Sequence, residues 1–262
     1  MGPAKRYLWL TRMSMRILLR SCRQGVASLI FIAAVVFCVF SWPIPTAAQA
    51  LSSYVTNFPV TENPLSEQGR WINGGTVGLD WSNVQTTKTL AWGTQVVEGH
   101  HNDSIALMAG IWEPDLTVQA VVRTETPSFT DKLELILRGT LRAHSAKLYQ
   151  FTCAAGYTEI VRWNGALDNL TVLDHNPSAH CKDGDTFRAS AIGSTLTSYI
   201  NGVRVNHATD TEFSSGSPGI GFSIDNPGAN RELGFSSFAV TGGPGNSGPA
   251  PRPPGILTTV PR

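Results

Sequence analysis

Asp183-Gly184-Asp185-Thr186-Phe187-Arg188-Ala189-Ser190-Ala191-Ile192-Gly193-Ser194-Thr195-Leu196-Thr197-Ser198-Tyr199-Ile200-Asn201-Gly202-Val203-Arg204-Val205 is the stretch that decides the fold of this 262-residue sequence. Asn201-Gly202 lies between two alternating runs and fits a two-residue type I′ hairpin, because both central residues must take positive φ. Gly193-Ser194 marks the turn before it. Residues 186–205 are therefore expected to form a three-strand antiparallel meander.

The same punctuation recurs outward from this stretch. Runs at 76–81, 89–92, 104–109, Leu116–Thr124, 133–138, 147–153, 158–163, 170–173, 219–224 and 233–240 read as short strands separated by Gly, Pro, Asn and Asp. In the longest, Leu116, Val118, Ala120 and Val122 fall on one face, with Thr117, Gln119, Val121 and Arg123 on the other. Leu133, Leu135 and Leu137 likewise oppose Glu134, Ile136 and Arg138. No run of ten residues has helical period. About a dozen such strands imply an all-β fold, an antiparallel two-sheet β-sandwich or jelly roll.

Composition agrees, since only 15% of residues are charged, too few for a helix-rich charged protein, while 42% are hydrophobic, too many for a disordered one. Charge is unevenly placed. Residues 1–50 hold six basic residues and no acid, then the apolar run 29–40 and Ala48-Gln49-Ala50. These are the parts of a signal peptide, with cleavage expected after Ala50, so the chain is expected to be secreted or periplasmic, with membrane contact only through the cleaved signal. The run is shorter than the roughly 20 residues of a spanning helix. Met1, Met13 and Met15 all remain candidate starts. Beyond residue 50, fourteen Lys and Arg face nineteen Asp and Glu, a net charge of −5 that argues against nucleic acid as a partner. Residues 51–66 read as a polar leading segment, 67–242 as the sandwich, and 243–262 as a Pro/Gly-rich disordered tail.

Cys153 and Cys181 are the two cysteines left after the signal, and in an oxidising compartment they are expected to pair. Closing that loop should stabilise the fold by roughly 3–4 kcal/mol in the chain-entropy model. His180 beside Cys181 does not complete a zinc-ligand pattern, and the pair is not a C-x-x-C redox motif.

The Gly-Asp turn at 184–185, the Gly193 turn and Tyr199-Ile200-Asn201-Gly202 together resemble the hairpin signature of concanavalin A-like lectin/glucanase sandwiches, including laminin-G-like modules. Asp210-x-x-Phe213-x-x-Gly216-x-Pro218-Gly219-Ile220-Gly221-Phe222 and Phe235-x-x-Phe238-x-Val240 continue the likeness, which spans roughly residues 65–242. Residues 133–138 and Ile160-Val161-Arg162-Trp163-Asn164-Gly165 look like middle strands of secreted bacterial members. The resemblance implies a concanavalin A-like jelly roll and leaves activity open among lectins, glycosidases, lyases and adhesive modules.

A retaining glycosidase needs two carboxylates about 5 Å apart. The E-x-D-x-E motif of the glucanases is absent, and the spaced acidic pairs Glu113/Asp115, Asp183/Asp185 and Asp210/Glu212 lie beside turns, where Asp caps backbone. Arg123-Thr124-Glu125 resembles only the start of a lyase motif, there is no G-x-S-x-G elbow, and His100-His101 reads as a loop pair. The expected function is a non-catalytic glycan-binding or adhesive module, its partner a carbohydrate or cell-surface glycan. A glycoside hydrolase or, less favoured, a polysaccharide lyase is the alternative. The expected ligand residues are Trp163, Asn164, Arg138, Glu134 and Tyr149, forming a polar floor with aromatic walls. No cofactor is required. Calcium is an option that the resemblance leaves open, with oxygens from Asp80, Asn83, Asp225 and Asn226.

Overall fold

The computed structural model describes residues 49–94, 103–125, 131–223 and 232–243. The signal region, the tail beyond Gly243, His100-His101, Asp225 and Asn226 lie outside them. One face of the molecule is a sheet in the order β10 (Leu170–Asn176), β9 (Thr158–Gly165), β8 (Ser145–Cys153), β7 (Lys132–Arg142), β14 (Ser217–Ser223), β5 (Asp103–Met108), with β2 (Trp71–Asn73) on β5. The other runs β4 (Leu90–Gly93), β15 (Leu233–Gly242), β6 (Leu116–Thr124), β11 (Thr186–Ile192), β12 (Thr195–Ile200), β13 (Val203–Thr209), with β1 (Ser53–Thr56) on β15. β3 (Ser82–Thr87) joins the two, pairing parallel with β5 at Ser82 and Asn83 and antiparallel with β4 further on.

This is the expected two-sheet β-sandwich, antiparallel except where β3 meets β5. The predicted meander is present as β11-β12-β13, with Asn201 at φ 50° and Gly202 at φ 83°. Between the sheets, Leu116, Val118, Ala120 and Val122 of β6 share a core with Leu133, Leu135 and Leu137 of β7 and with Phe151, Phe187, Phe222, Phe235 and Phe238. A second apolar layer covers the outer surface of the first sheet, where Leu79, Trp81, Ile105, Leu107, Ile136, Leu148, Val161 and Trp163 meet. Cys153 and Cys181 form the expected disulfide, with Cα atoms 5.8 Å apart.

Two expectations need correction. Residues 76–81 are not a strand: Gly75–Val77 is a 3-10 turn, and Gly78 at φ 77° takes the chain out of extended geometry. Leu79 and Trp81 of this segment are nevertheless buried. Residues 51–66 are not a mere lead-in, because β1 pairs with residues 238–241 of β15 and Phe58 and Leu65 enter the core.

Candidate ligand site

Strand register decides which of the five expected ligand residues can meet. In β7 and β8, Glu134 stands opposite Thr152, Ile136 opposite Gln150 and Leu137 opposite Tyr149. Directly opposed residues share a face, so Tyr149 sides with the interlayer core, away from Glu134. An extra residue between Leu137 and Thr140 bulges β7 and takes Arg138, at φ 53°, off the Glu134 row. Trp163 opposes Leu148 on the outer face, and Asn164 opposes Lys147 on the inner one. The five residues therefore occupy two opposite faces and a bulge, and form no common floor.

On the outer face a buried chain of polar groups runs across three strands. The Trp163 indole donates to Gln150 Oε1 at 2.6 Å, and Gln150 Nε2 donates to Glu134 Oε1 and Thr152 Oγ1, each at 3.0 Å. Trp163 is 6% exposed and packs edge-on against Trp81, with ring centroids 4.6 Å apart, so its face is not offered to a sugar. Glu134 is 4% exposed. Burial pushes its carboxyl well above the usual range, with Asp103 and Glu159 adding to the rise and Lys132 opposing it. Gly221 makes room for this group, since a Cβ there would stand 2.5 Å from Glu134 Oε2. Gln150, the centre of the chain, carried no signal in the sequence beyond its place in an alternating strand.

At one end of the sandwich a different constellation opens to solvent. Tyr149 Oη donates to Asp210 Oδ1 at 2.6 Å and accepts from the Phe213 amide at 3.0 Å. Arg162 pairs with the other Asp210 oxygen, and its Nε donates to Asn164 Oδ1 at 2.8 Å. Arg138 reaches the same loop from the bulge, donating to Phe213 O at 2.9 Å, Pro114 O at 3.0 Å and Asp115 Oδ1 at 3.2 Å. Gly216 seats the loop against Arg138, because a Cβ at this φ of 146° would fall 2.4 Å from the Arg138 carbonyl carbon. Burial and the Asp210 carboxylate push the Tyr149 phenol up to about 12. For Asp210 burial acts upward, but the bonds from Tyr149 and the Glu212 amide and the charge of Arg162 outweigh it, and the carboxyl lies below its usual range.

The braced loop is one wall of a cleft of about 420 Å³ lined by Arg138, Thr140, Arg142, Ser145, Lys147, Glu212, Phe213, Ser214 and Ser215. Of the expected ligand residues, Arg138 lines it, Tyr149 and Asn164 belong to the network behind it, and Trp163 and Glu134 lie elsewhere. Phe213 packs on Tyr149 with centroids 5.2 Å apart. Asp210, read from sequence as a turn residue, is the hub; only its proximity to Tyr149 and Arg162 in space reveals that.

Three further carboxylates, Asp183, Asp185 and Asp80, are committed to the fold. Asp183 pairs with Arg123 and accepts the Thr124 amide, and Asp185 accepts from Lys182 N and Asn201 Nδ2. Asp80 meets the His144 ring at 2.8 Å, and Asn83 Oδ1 accepts the Gly75 amide. Among the described residues no three His, Cys, Asp or Glu are placed to hold a metal.

No protein-family model and no curated protein matches the sequence. Solved structures similar to this chain include a carbohydrate-binding module, CBM66, from Bacillus subtilis, 16% identical over 68% of this chain and 96% of that one, with a TM-score of 0.45. The Emp46p carbohydrate recognition domain in potassium-bound form is 11% identical over 72% and 95%, TM-score 0.49. A Bacillus licheniformis beta-glucanase is 10% identical over 74% and 99%, TM-score 0.48. At such identities no ligand or residue role passes from them to this chain.

Proposed function

We propose that the domain is a non-catalytic carbohydrate-binding or adhesive module, exported by its leader, with the cleft at the sandwich end as its ligand site. The observation that carries this reading is the braced loop. A buried arginine, a tyrosine and an Asp–Arg pair all hold residues 210–216 in one position beside an open, polar cleft. Fixed polar groups around an open concavity are what a sugar's hydroxyls need, and prior ordering lowers the entropic cost of binding. The disulfide suits an oxidising compartment, and no helix among the described residues is long and apolar enough to cross a membrane.

A glycan array of residues 51–262 tests the reading. Binding that Phe213→Ala reduces by about tenfold, the equivalent of one good stacking contact, is expected; an array on which nothing binds overturns it.

Glu134 favours hydrolysis as a second reading, since a carboxyl whose burial raises its pKa is what a general acid needs. Glu134, Thr152 and Glu159 stand in one row across three strands, putting the two glutamates roughly 10 Å apart at the backbone, wider than a retaining pair. Release of reducing sugar that Glu134→Gln abolishes would establish it, and no release from a polysaccharide panel between pH 5 and 8 would remove it.

A further inference from the structure

We infer that the ligand of the end cleft is an acidic glycan, one whose sugars carry carboxylate or sulfate, with Arg142 and Lys147 as the side chains that select it. The inference rests on the cleft being the glycan site. In β7 and β8, Thr140 faces Lys147 directly, Leu141 faces Ala146, and Arg142 faces Ser145. Alternation then places Thr140, Arg142, Ser145 and Lys147 on the cleft side and puts Leu141 and Ala146 on the apolar layer behind. Arg142 and Lys147 become diagonal neighbours, about 7–8 Å apart across the hairpin. Both are exposed, and among the described residues neither has an ion-pair partner. Like charges so placed repel each other.

The chain makes this arrangement against its own composition, since beyond residue 50 acids outnumber bases by five. Arg138 is balanced by Asp115, and Asp210 by Arg162, so neither pair sets the sign of the cleft. What remains is two cations on the hairpin wall and Glu212 with Ser214 and Ser215 on the facing one. An acidic sugar fits this polarity with its anionic group toward Arg142 and Lys147 and its hydroxyls toward Glu212 and the serines. A guanidinium beside an ammonium offers a planar fork and a point charge, which suits carboxylate and sulfate oxygens alike.

Matched polymers that differ only in charge test this: dextran sulfate against dextran, and polygalacturonate against its methyl ester, titrated with residues 51–262 and with the R142A/K147A variant. Arg204→Ala, an exposed site on β13, controls for loss of charge elsewhere. The expected result is binding to at least one charged polymer over its neutral partner, weakened by about tenfold or more in the double variant, as loss of a charge-assisted hydrogen bond requires, and unchanged in Arg204→Ala. Salt should weaken it too. Equal binding to charged and neutral partners, undiminished binding by the double variant, or an equal loss in Arg204→Ala overturns the inference and leaves the glycan reading standing. No binding to any polymer, together with a blank array, ends both.

Discussion

Tyr149 shows how one side chain can belong to two regions at once. Its ring is fully buried in the interlayer core while its hydroxyl caps the Phe213 amide and bonds Asp210. Tyr149→Phe keeps the ring and removes both bonds, leaving the Phe213 N–H without its acceptor and Asp210 Oδ1 with the Glu212 amide alone. Urea unfolding should show a loss of about 1–3 kcal/mol, with weaker glycan binding as the loop loosens. Asp210 adds a pH dependence: its folded carboxyl is depressed, so its contribution is present above the unfolded value of 3.8 and is lost as pH falls through the folded one. Glu134 has the opposite sign. Below about 4.5 it is protonated in both states. Above that the unfolded chain ionises while the folded one holds its proton, so stability falls as pH rises. Glu134→Gln keeps an acceptor for Gln150 and cannot ionise; thermal unfolding should show it gaining stability relative to wild type between pH 5 and 8, with the difference shrinking toward pH 4.

Elements were legible where pattern and turn chemistry agreed. Leu116–Thr124 and Thr186–Ile192 occupy the residues expected from alternation and, for the second, from the Gly193-Ser194 turn, because both strands put an apolar row on the interlayer core. β1 and β2 were missed for a physical reason: Ser-Tyr-Val-Thr and Trp-Ile-Asn are short and held by pairing partners more than 30 residues away. β3, Ser-Asn-Val-Gln-Thr-Thr, is a mostly polar run that pairs locally with β4 and 22 residues on with β5. The candidate site failed at one further step. Alternation placed Glu134 and the leucine stripe on opposite faces, as they are, but whether Tyr149 falls on the glutamate side depends on hairpin register. That register is fixed by the two-residue turn at Ala143 and His144 and by the bulge after Leu137. Neither has a sequence signal as sharp as Asn-Gly, and a shift of one residue exchanges faces. The loop at 210–216 was visible only as turn residues, since its braces come from β7, β8 and β9, between 48 and 75 residues earlier.

At the scale of the whole molecule, the two sheets are joined by β3 and by the disulfide. Cys153 ends β8 in the sheet that carries the Glu134 row, while Cys181 lies after β10 on the segment that leads into β11 of the other sheet. The bridge therefore pins the chain where it passes between layers, and the Cys181 amide donating to Ala154 O at 3.2 Å tightens the same crossing. Both cysteines are buried in the interlayer core, so replacing them by alanine removes the cross-link without exposing a polar group. With a sequence separation of 28 between the cysteines, the double variant should lose roughly 3–4 kcal/mol. For a domain of this size that lowers Tm by roughly 6–16 °C. The loss should act on the unfolded chain more than on the folded one, so the cleft should survive it: below its own Tm the variant should keep unchanged whatever affinity the proposed glycan site has in the wild type. Calorimetry beside a binding titration separates the two effects, and a fall in affinity at temperatures where the variant is fully folded would show that the crossing also sets the geometry of the cleft.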